Sequence, residues 1–336
     1  VIFVKELNET LHTLLETDER VVILGEDIAD PYGGAFKATR GLTAAYPERV
    51  LTTPVSEGGI AGVAAGLALS GYRPIVEIMF GDFLTLTFDQ VVNHIAKYSA
   101  MYDGKVTCPV IIRTPSGGHR GYGPTHSQSL EKHFLGVPHL TVVAASAYHS
   151  PRDILGELLQ RDEPALYVEH KLLYPEHVQR PSGSRIGDAL GREEASPGSL
   201  PSVLLSQVPP EDCTVTVLAY GYSALLAARA LEELAVEEEI FGELVVPAQI
   251  APMDWGPVEG SVERTGSLIT VEEGMADWSW GTEAAAEIGK RQFSRLRRPV
   301  QVVASGPDVI PSSRQLEQQV LVGSDTMKEA IREAAA

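Results

Sequence analysis

Cysteine is almost absent from this chain. Only Cys108 and Cys213 occur in 336 residues, far apart in sequence. A disulfide framework is therefore excluded, and a reducing cytoplasm is the default compartment. Positive charge is also scarce: 27 Lys and Arg against 45 Asp and Glu leave a net charge of −18. Phosphate backbones require concentrated cations, so nucleic acid is excluded as a partner. The acidic surface reads as a solvating one, with a basic protein partner as the alternative. No apolar run reaches the roughly 18–20 residues of a membrane helix. The best candidate, within 53–71, is bounded by Glu57, Ser70 and Gly71. The N-terminus lacks the layout of a signal and reads as an amphipathic helix with Leu7, Leu11, Leu14 and Leu15 inward. CxxC and HExxH spacings are missing, and His119, His126 and His133 lie seven apart, so no protein-ligated transition metal is expected. GEDIADPYGG does not fit GxGxxG, GxxxxGK[ST] is absent, and GYSAL (221–225) has Leu where a nucleophile elbow needs Gly.

What is present is an alternation. Apolar runs suited to buried strands stand at 20–26, 73–80, 108–115, 140–146 and 165–170. Between them lie the glycine- and alanine-rich run 57–71, TFDQVVNHIAKYSAMY (87–102) and SPRDILGELLQRD (150–162). Strand cores without polar alternation, separated by helices, predict an α/β fold with a parallel sheet covered on both faces. From Gln179 to Asp212 the texture becomes rich in Pro, Ser and Gly, which reads as a connection crossing the surface. Alternation then resumes with CTVTVLAYG, SALLAARALEELAVEEE, GELVVPA, GSLITVEEG, TEAAAEIGKRQ and PVQVVASG. The expected organisation is one α/β domain at 1–178, a linker at 179–211 and a smaller α/β domain at 212–336.

Three stretches carry the candidate chemistry. In TPVSEGGIAGVAAGLALSG (53–71), Glu57 is the only charged residue between Arg49 and Arg73. Pro54 and Ser56 predict a helix start that places Glu57 in its first turn. The plain reading is an acid complementing the helix dipole, worth roughly 0.3–1 kcal/mol. The alternative uses Gly58, Gly59, Gly62 and Gly66, which suit a close approach by a flat ligand or another backbone, beside an acid able to exchange a proton. The second stretch is the loop 114–134 after a strand, crowded with Ser116, His119, Arg120, Tyr122, Thr125, His126, Ser127 and Gln128. Ligands gather beyond the carboxyl ends of strands in open parallel sheets. A loop histidine there is surface or a proton carrier. The third is EIMFGDFLTLTFDQV (77–91), whose Phe80, Phe83 and Phe88 are core or a face for a planar ring.

In this order, LGEDI…YGGAFKATRGL (24–42), TPVSEGGIAGVAAGLALSGYRPIVEIMFGDFLTLTFDQ (53–90), GPTHSQSLE (123–131) and APMDWGPVEGSVERTGSLITVEEG (251–274) resemble one family. It is that of the beta subunits of thiamine-diphosphate-dependent 2-oxo acid dehydrogenases of the pyruvate, branched-chain and acetoin type. The resemblance covers nearly the whole chain. It implies an N-terminal transketolase-like pyrimidine-binding domain and a C-terminal domain of the transketolase C-terminal type. It implies that Glu57 meets a ring nitrogen of the coenzyme's aminopyrimidine, that Phe83 stacks on that ring, and that Val55 and Met79 flank it. His126 is implied to face the substrate.

The family's Gly-Asp-Gly motif for the diphosphate and its Mg²⁺ is absent. The resemblance therefore implies a separate alpha subunit that holds both, in a heterotetramer of two alpha and two beta chains. An acyltransferase partner bearing lipoyl groups would accept the acyl unit. A transketolase-like transfer of a two-carbon or acyl unit to a biosynthetic acceptor is the alternative. HRGYGP (119–124) is bulkier and more basic than the glycine-alanine version of many pyruvate enzymes.

Overall fold

The computed structural model of the protein describes residues 1–180, 185–186 and 189–336. Two seven-stranded sheets organise it. The first is built from β1 (Val21–Glu26), β2 (Val50–Thr53), β3 (Arg73–Glu77), β4 (Ile111–Ser116), β5 (Thr141–Ala144) and β6 (Ala165–His170). The second contains β7 (Arg185–Ile186), β8 (Ala189–Glu194), β9 (Ser202–Ser206), β10 (Val215–Ala219) and β11 (Gly242–Pro247), followed by β13 (Leu268–Met275) and β14 (Gln301–Ser305). Between β11 and β13, β12 (Gln249–Ala251) leaves the second sheet and pairs antiparallel with β5. The orders are β12-β5-β6-β4-β3-β1-β2 and β14-β13-β10-β11-β9-β8-β7.

The expected α/β architecture is observed. All pairs from β5 to β2 in the first sheet are parallel. β1, β4, β5 and β6 are buried along their whole length, because helices cover both faces. The helix Phe3–Thr17 buries Leu7, Leu11, Leu14 and Leu15 as its spacing predicts. The helix Pro151–Gln160 starts where proline is tolerated, with the Ser150 hydroxyl accepting from the Asp153 amide. Among the described residues no helix is long and apolar enough to cross a membrane.

Several elements differ from the expectation. The strand begun at Arg73 ends at Glu77 rather than at Phe80, and a 3₁₀ turn runs from Gly81 to Thr87. The helix expected at 87–102 continues as a π-helical stretch, Gln90–Ile95, and a short α segment, Tyr98–Met101. The stretch 179–211, expected as a linker, holds β8 and β9, which pair antiparallel with each other and extend the sheet from β11. Val203, Leu204 and Leu205 of β9 are buried core. Their apolar run is too short to stand out among Pro, Ser and Gly. Pro181–Ser184, Gly187 and Asp188 of that stretch lie outside the described residues.

A buried ion cluster crosses the first sheet. Arg113 is fully buried on β4; its Nε and Nη2 each donate to Glu169 of β6 at 2.8 Å, and its Nη1 pairs with Glu77 of β3. The Tyr174 hydroxyl donates to Glu169 as well. Burial pushes the Glu77 carboxyl up, and the Arg113 charge opposes it. Two acids on one cation hold three adjacent strands in register. Arg113→Leu leaves both acids buried without their cation, so denaturant unfolding should show a loss of about 3–5 kcal/mol.

Candidate functional site

The carboxyl ends of β1, β3 and β4 and the segments that follow them meet at one end of the first sheet. Glu57 opens the helix Glu57–Leu69, as the sequence predicts, and is 6% exposed. Its side chain makes no hydrogen bond or ion pair among the described residues. Glu26, the last residue of β1, is 5% exposed with a buried Oε1 that lacks a partner. Burial pushes the Glu26 carboxyl up, the Glu57 charge adds to the rise, and the Ser56 amide opposes it. Two acids thus lie close together at the head of an apolar helix.

That helix packs on the 3₁₀ turn Gly81–Thr87. Gly58 makes the approach feasible: a Cβ there would lie 3.1 Å from the Leu86 carbonyl oxygen. Gly62 and Gly66, with Val63 and Leu69, are instead on the exposed side of the helix, as is Val55 just before it at 81% exposure. Close packing inside the chain therefore accounts for Gly58 and not for Gly62 and Gly66.

Phe83 sits half-buried on the 3₁₀ turn. Its ring is edge-on to His126 at 5.4 Å and to Phe80 at 6.0 Å between centroids. His126 is also edge-on to Phe80 at 4.9 Å. Phe80, Phe83 and His126 therefore form one cluster, to which Tyr122 adds a ring 6.4 Å from Phe80. Phe88 does not join it; it packs 5.3 Å from Phe134. Met79, after β3, is half-buried. The His126 Nδ1 lies 3.0 Å from the Thr125 hydroxyl, which leaves Nε2 as the ring nitrogen available to a ligand.

The loop holding His126 is fixed from outside itself. The Gly118 amide donates to Glu273 of β13 at 2.6 Å, and the Gly121 amide donates to Glu317 at 2.9 Å. Asp82 accepts from the side chain of Gln128 at 2.8 Å. Lys171, fully buried just after β6, donates to the His126 carbonyl at 2.8 Å. Glu273 also meets His170 Nε2 at 2.9 Å and His119 Nε2 at 3.3 Å. Burial opposes its ionisation, but His170 and His119 hold the Glu273 carboxyl well below the usual range. Gly117, at φ +84°, is pressed against His170, where a Cβ would fall 1.9 Å from the ring nitrogen.

Sequence reasoning singled out Glu57, Phe83, Val55, Met79 and His126 but missed Glu26, Lys171, Glu273 and Glu317. The available signal was an acid or cation set within or beside an apolar strand, as in ALYVEHK and ITVEEG, since buried charges need partners.

Comparison with known proteins places the chain in a family. The family model for the transketolase pyrimidine-binding domain matches residues 3–177, and that for the transketolase C-terminal domain matches residues 206–327. A pyruvate dehydrogenase E1 component subunit beta from Leifsonia xyli is 35% identical, with 98% of this chain and 93% of the relative covered. The beta subunit of an acetoin:2,6-dichlorophenolindophenol oxidoreductase from Cupriavidus necator is 32% identical, with 97% and 95% covered. The beta subunit of a 3-methyl-2-oxobutanoate dehydrogenase from Mycobacterium tuberculosis is 31% identical, with 98% and 90% covered. A split-gene transketolase, solved as an inactive beta4 tetramer, shares the fold with a TM-score of 0.70 at 20% identity, covering 98% of this chain and 97% of its own.

Behind the site, Glu131 is buried and accepts a hydrogen bond from the Tyr220 hydroxyl at 2.7 Å, joining the two halves of the chain. Burial pushes its carboxyl up to about 7, against the Tyr220 hydrogen bond. A carboxyl raised in the folded state costs stability as pH climbs from the unfolded value of 4.5 to about 7. Glu131→Gln removes that cost and can still accept from Tyr220. Denaturant titrations should show the variant gaining on the parent between those pH values, by on the order of 3 kcal/mol at the upper end. The likeness in sequence, domain order and fold makes this chain a member of the transketolase-like family of 2-oxo acid dehydrogenase beta subunits.

Proposed function

We propose that the chain is the beta half of a two-chain thiamine-diphosphate enzyme that decarboxylates a 2-oxo acid and passes the acyl unit to lipoamide. The single observation that carries the site assignment is Glu57: a residue buried but for 6% of its surface, at a helix start, whose carboxyl has no partner of its own among the described residues. Such a carboxyl, set in an apolar surround and uncommitted to any other side chain, is free to bond a ligand. The surroundings fit an aminopyrimidine. A carboxyl is ready for a ring nitrogen, Phe83 offers a flat apolar face, and Val55 and Met79 lie on the segments that flank Glu57 and Phe83.

In this reading Glu57 holds a proton at the pyrimidine ring nitrogen. Phe83 orients the ring by stacking. His126, with Nδ1 turned to Thr125, uses Nε2 to hold or move a proton at a substrate oxygen. The coenzyme, when bound, supplies the carbon nucleophile and the electron sink for decarboxylation. An alpha partner grips the diphosphate and Mg²⁺, because no Gly-Asp-Gly run is present in this chain. Its docking, or that of a second beta chain, would cover the exposed Val55, Val63, Leu69 and Leu86. The assembly is a heterotetramer of two alpha and two beta chains, it works in the cytoplasm, and an acyltransferase receives its product.

The test is co-expression with an alpha-type partner and dye reduction over a panel of 2-oxo acids starting with pyruvate. Turnover is expected from the pair. Glu57→Gln should lower kcat at least about 100-fold, the scale of a lost proton-transfer group. Unchanged turnover in that variant would remove the basis of the proposal.

A further inference from the structure

The backbone of 117–128 follows no regular element, and positive φ recurs at Gly117, His119, Gly121 and Gly123. A loop so irregular has few backbone bonds of its own. The Gly117 amide reaches the Gln128 carbonyl at 3.2 Å, and the His126 amide reaches the Gly123 carbonyl at 3.3 Å. The remaining anchors are the four charged side chains Glu273, Glu317, Asp82 and Lys171. Only Lys171 touches the residue that bears the candidate imidazole. Its Nζ donates to the His126 carbonyl and lies 5.4 Å above the Phe80 ring, the same ring that packs against the His126 side chain. Both ends of His126, backbone and imidazole, are thus referenced to Lys171 and Phe80.

We infer that Lys171 and Glu273 are positioning residues that fix His126 at the site, Lys171 through its carbonyl and Glu273 through the amide of Gly118. The inference rests on the reading of His126 given above. Glu273 comes from the C-terminal half, so that half serves as the mould for the substrate loop. His170 bonds the Glu273 Oε2 at 2.9 Å, His119 lies 3.3 Å from the same oxygen, and Tyr222 stacks on His170 at 4.8 Å. A buried ammonium with one backbone acceptor is a costly arrangement for packing alone, since an apolar side chain of like volume would fill the space without desolvating a charge.

The arrangement carries a pH signature. Burial pushes the Lys171 ammonium down to about 8; Asp82, Glu273 and Glu317 pull it up, and Arg120 adds to the fall. His126 faces it from the loop. Charge on Lys171 is therefore lost as pH rises through about 8. The neutral amine keeps a weaker hydrogen bond, and the loop loosens rather than detaches.

The experiment combines limited trypsin digestion of the purified chain, followed at the Arg120 bond inside the loop, with dye-reduction kinetics of the assembled enzyme on pyruvate and other 2-oxo acids. Lys171→Met and Glu273→Gln should each speed cleavage after Arg120 by about 10-fold or more, because cleavage tracks the population of the opened loop. Each should lower kcat about 10- to 100-fold, the scale of a small misplacement of a reacting group. Lys171→Arg, which keeps a charged donor, should recover most of the protection and move the alkaline fall of activity upward from about pH 8.

Unchanged cleavage and unchanged kcat in Lys171→Met and Glu273→Gln, while His126→Ala is inactive, would overturn the inference and leave the reading of His126 standing. Full activity of His126→Ala would overturn that reading and the catalytic part of the inference with it. Faster cleavage with unchanged kcat would likewise refute positioning, since the loop would then be loosened without consequence.

Discussion

The cost of taking charge out of water governs this structure. A buried carboxylate or ammonium must be paired or hydrogen-bonded, or it shifts its protonation instead. Arg113 meets that demand with Glu77 and Glu169 in the middle of the first sheet. Glu273 meets it with an amide and two imidazoles where the two halves of the chain join. Lys171 meets it with a backbone carbonyl. Glu57 is buried to a similar degree and has no such partner among the described residues. The completed groups build a frame; Glu57, left uncommitted, is the group the proposed function assigns to the coenzyme.

The frame has a clear division of labour. The first sheet supplies the ends of β1, β3 and β4, from which Glu26, Phe80 and the His126 loop project. The second half supplies two of the acids that hold that loop, Glu273 on β13 and Glu317 on the helix Arg314–Val320. β12 ties the halves further by adding the chain's later segment to the edge of the earlier sheet, with Gln249 opposite Val143. A loop with so little regular structure is held by side chains from both halves, Asp82 and Lys171 on one side and Glu273 and Glu317 on the other. In the same way, the aromatic cluster of Phe80, Phe83 and His126 is set by a 3₁₀ turn wedged between β4 and the glycine-bearing helix.

Much of the fold could be read from sequence, and the failures share a cause. Strands buried on both faces, such as VVILGE and ALYVEH, announce themselves as apolar runs, and they are β1 and β6. Edge and antiparallel strands do not. VLTT at β2 has two exposed positions, ALGREE at β8 alternates, and SVLLS at β9 is hidden among Pro, Ser and Gly. Within the site, Glu57, Phe83 and His126 lie in runs whose order carries the family resemblance. Lys171 and Glu273 act across 45 and 155 positions of chain, onto His126 and Gly118 respectively. No local pattern encodes contacts at that separation; only the topology brings them together.

The central claim is that this chain holds one half of a coenzyme site whose other half lies on a different polypeptide. Isothermal titration of thiamine diphosphate with Mg²⁺ tests it most directly, performed on the chain alone and on the chain assembled with its alpha partner. The account predicts no saturable binding to the isolated chain and stoichiometric binding once the partner is present. Tight stoichiometric binding by the isolated chain would contradict it.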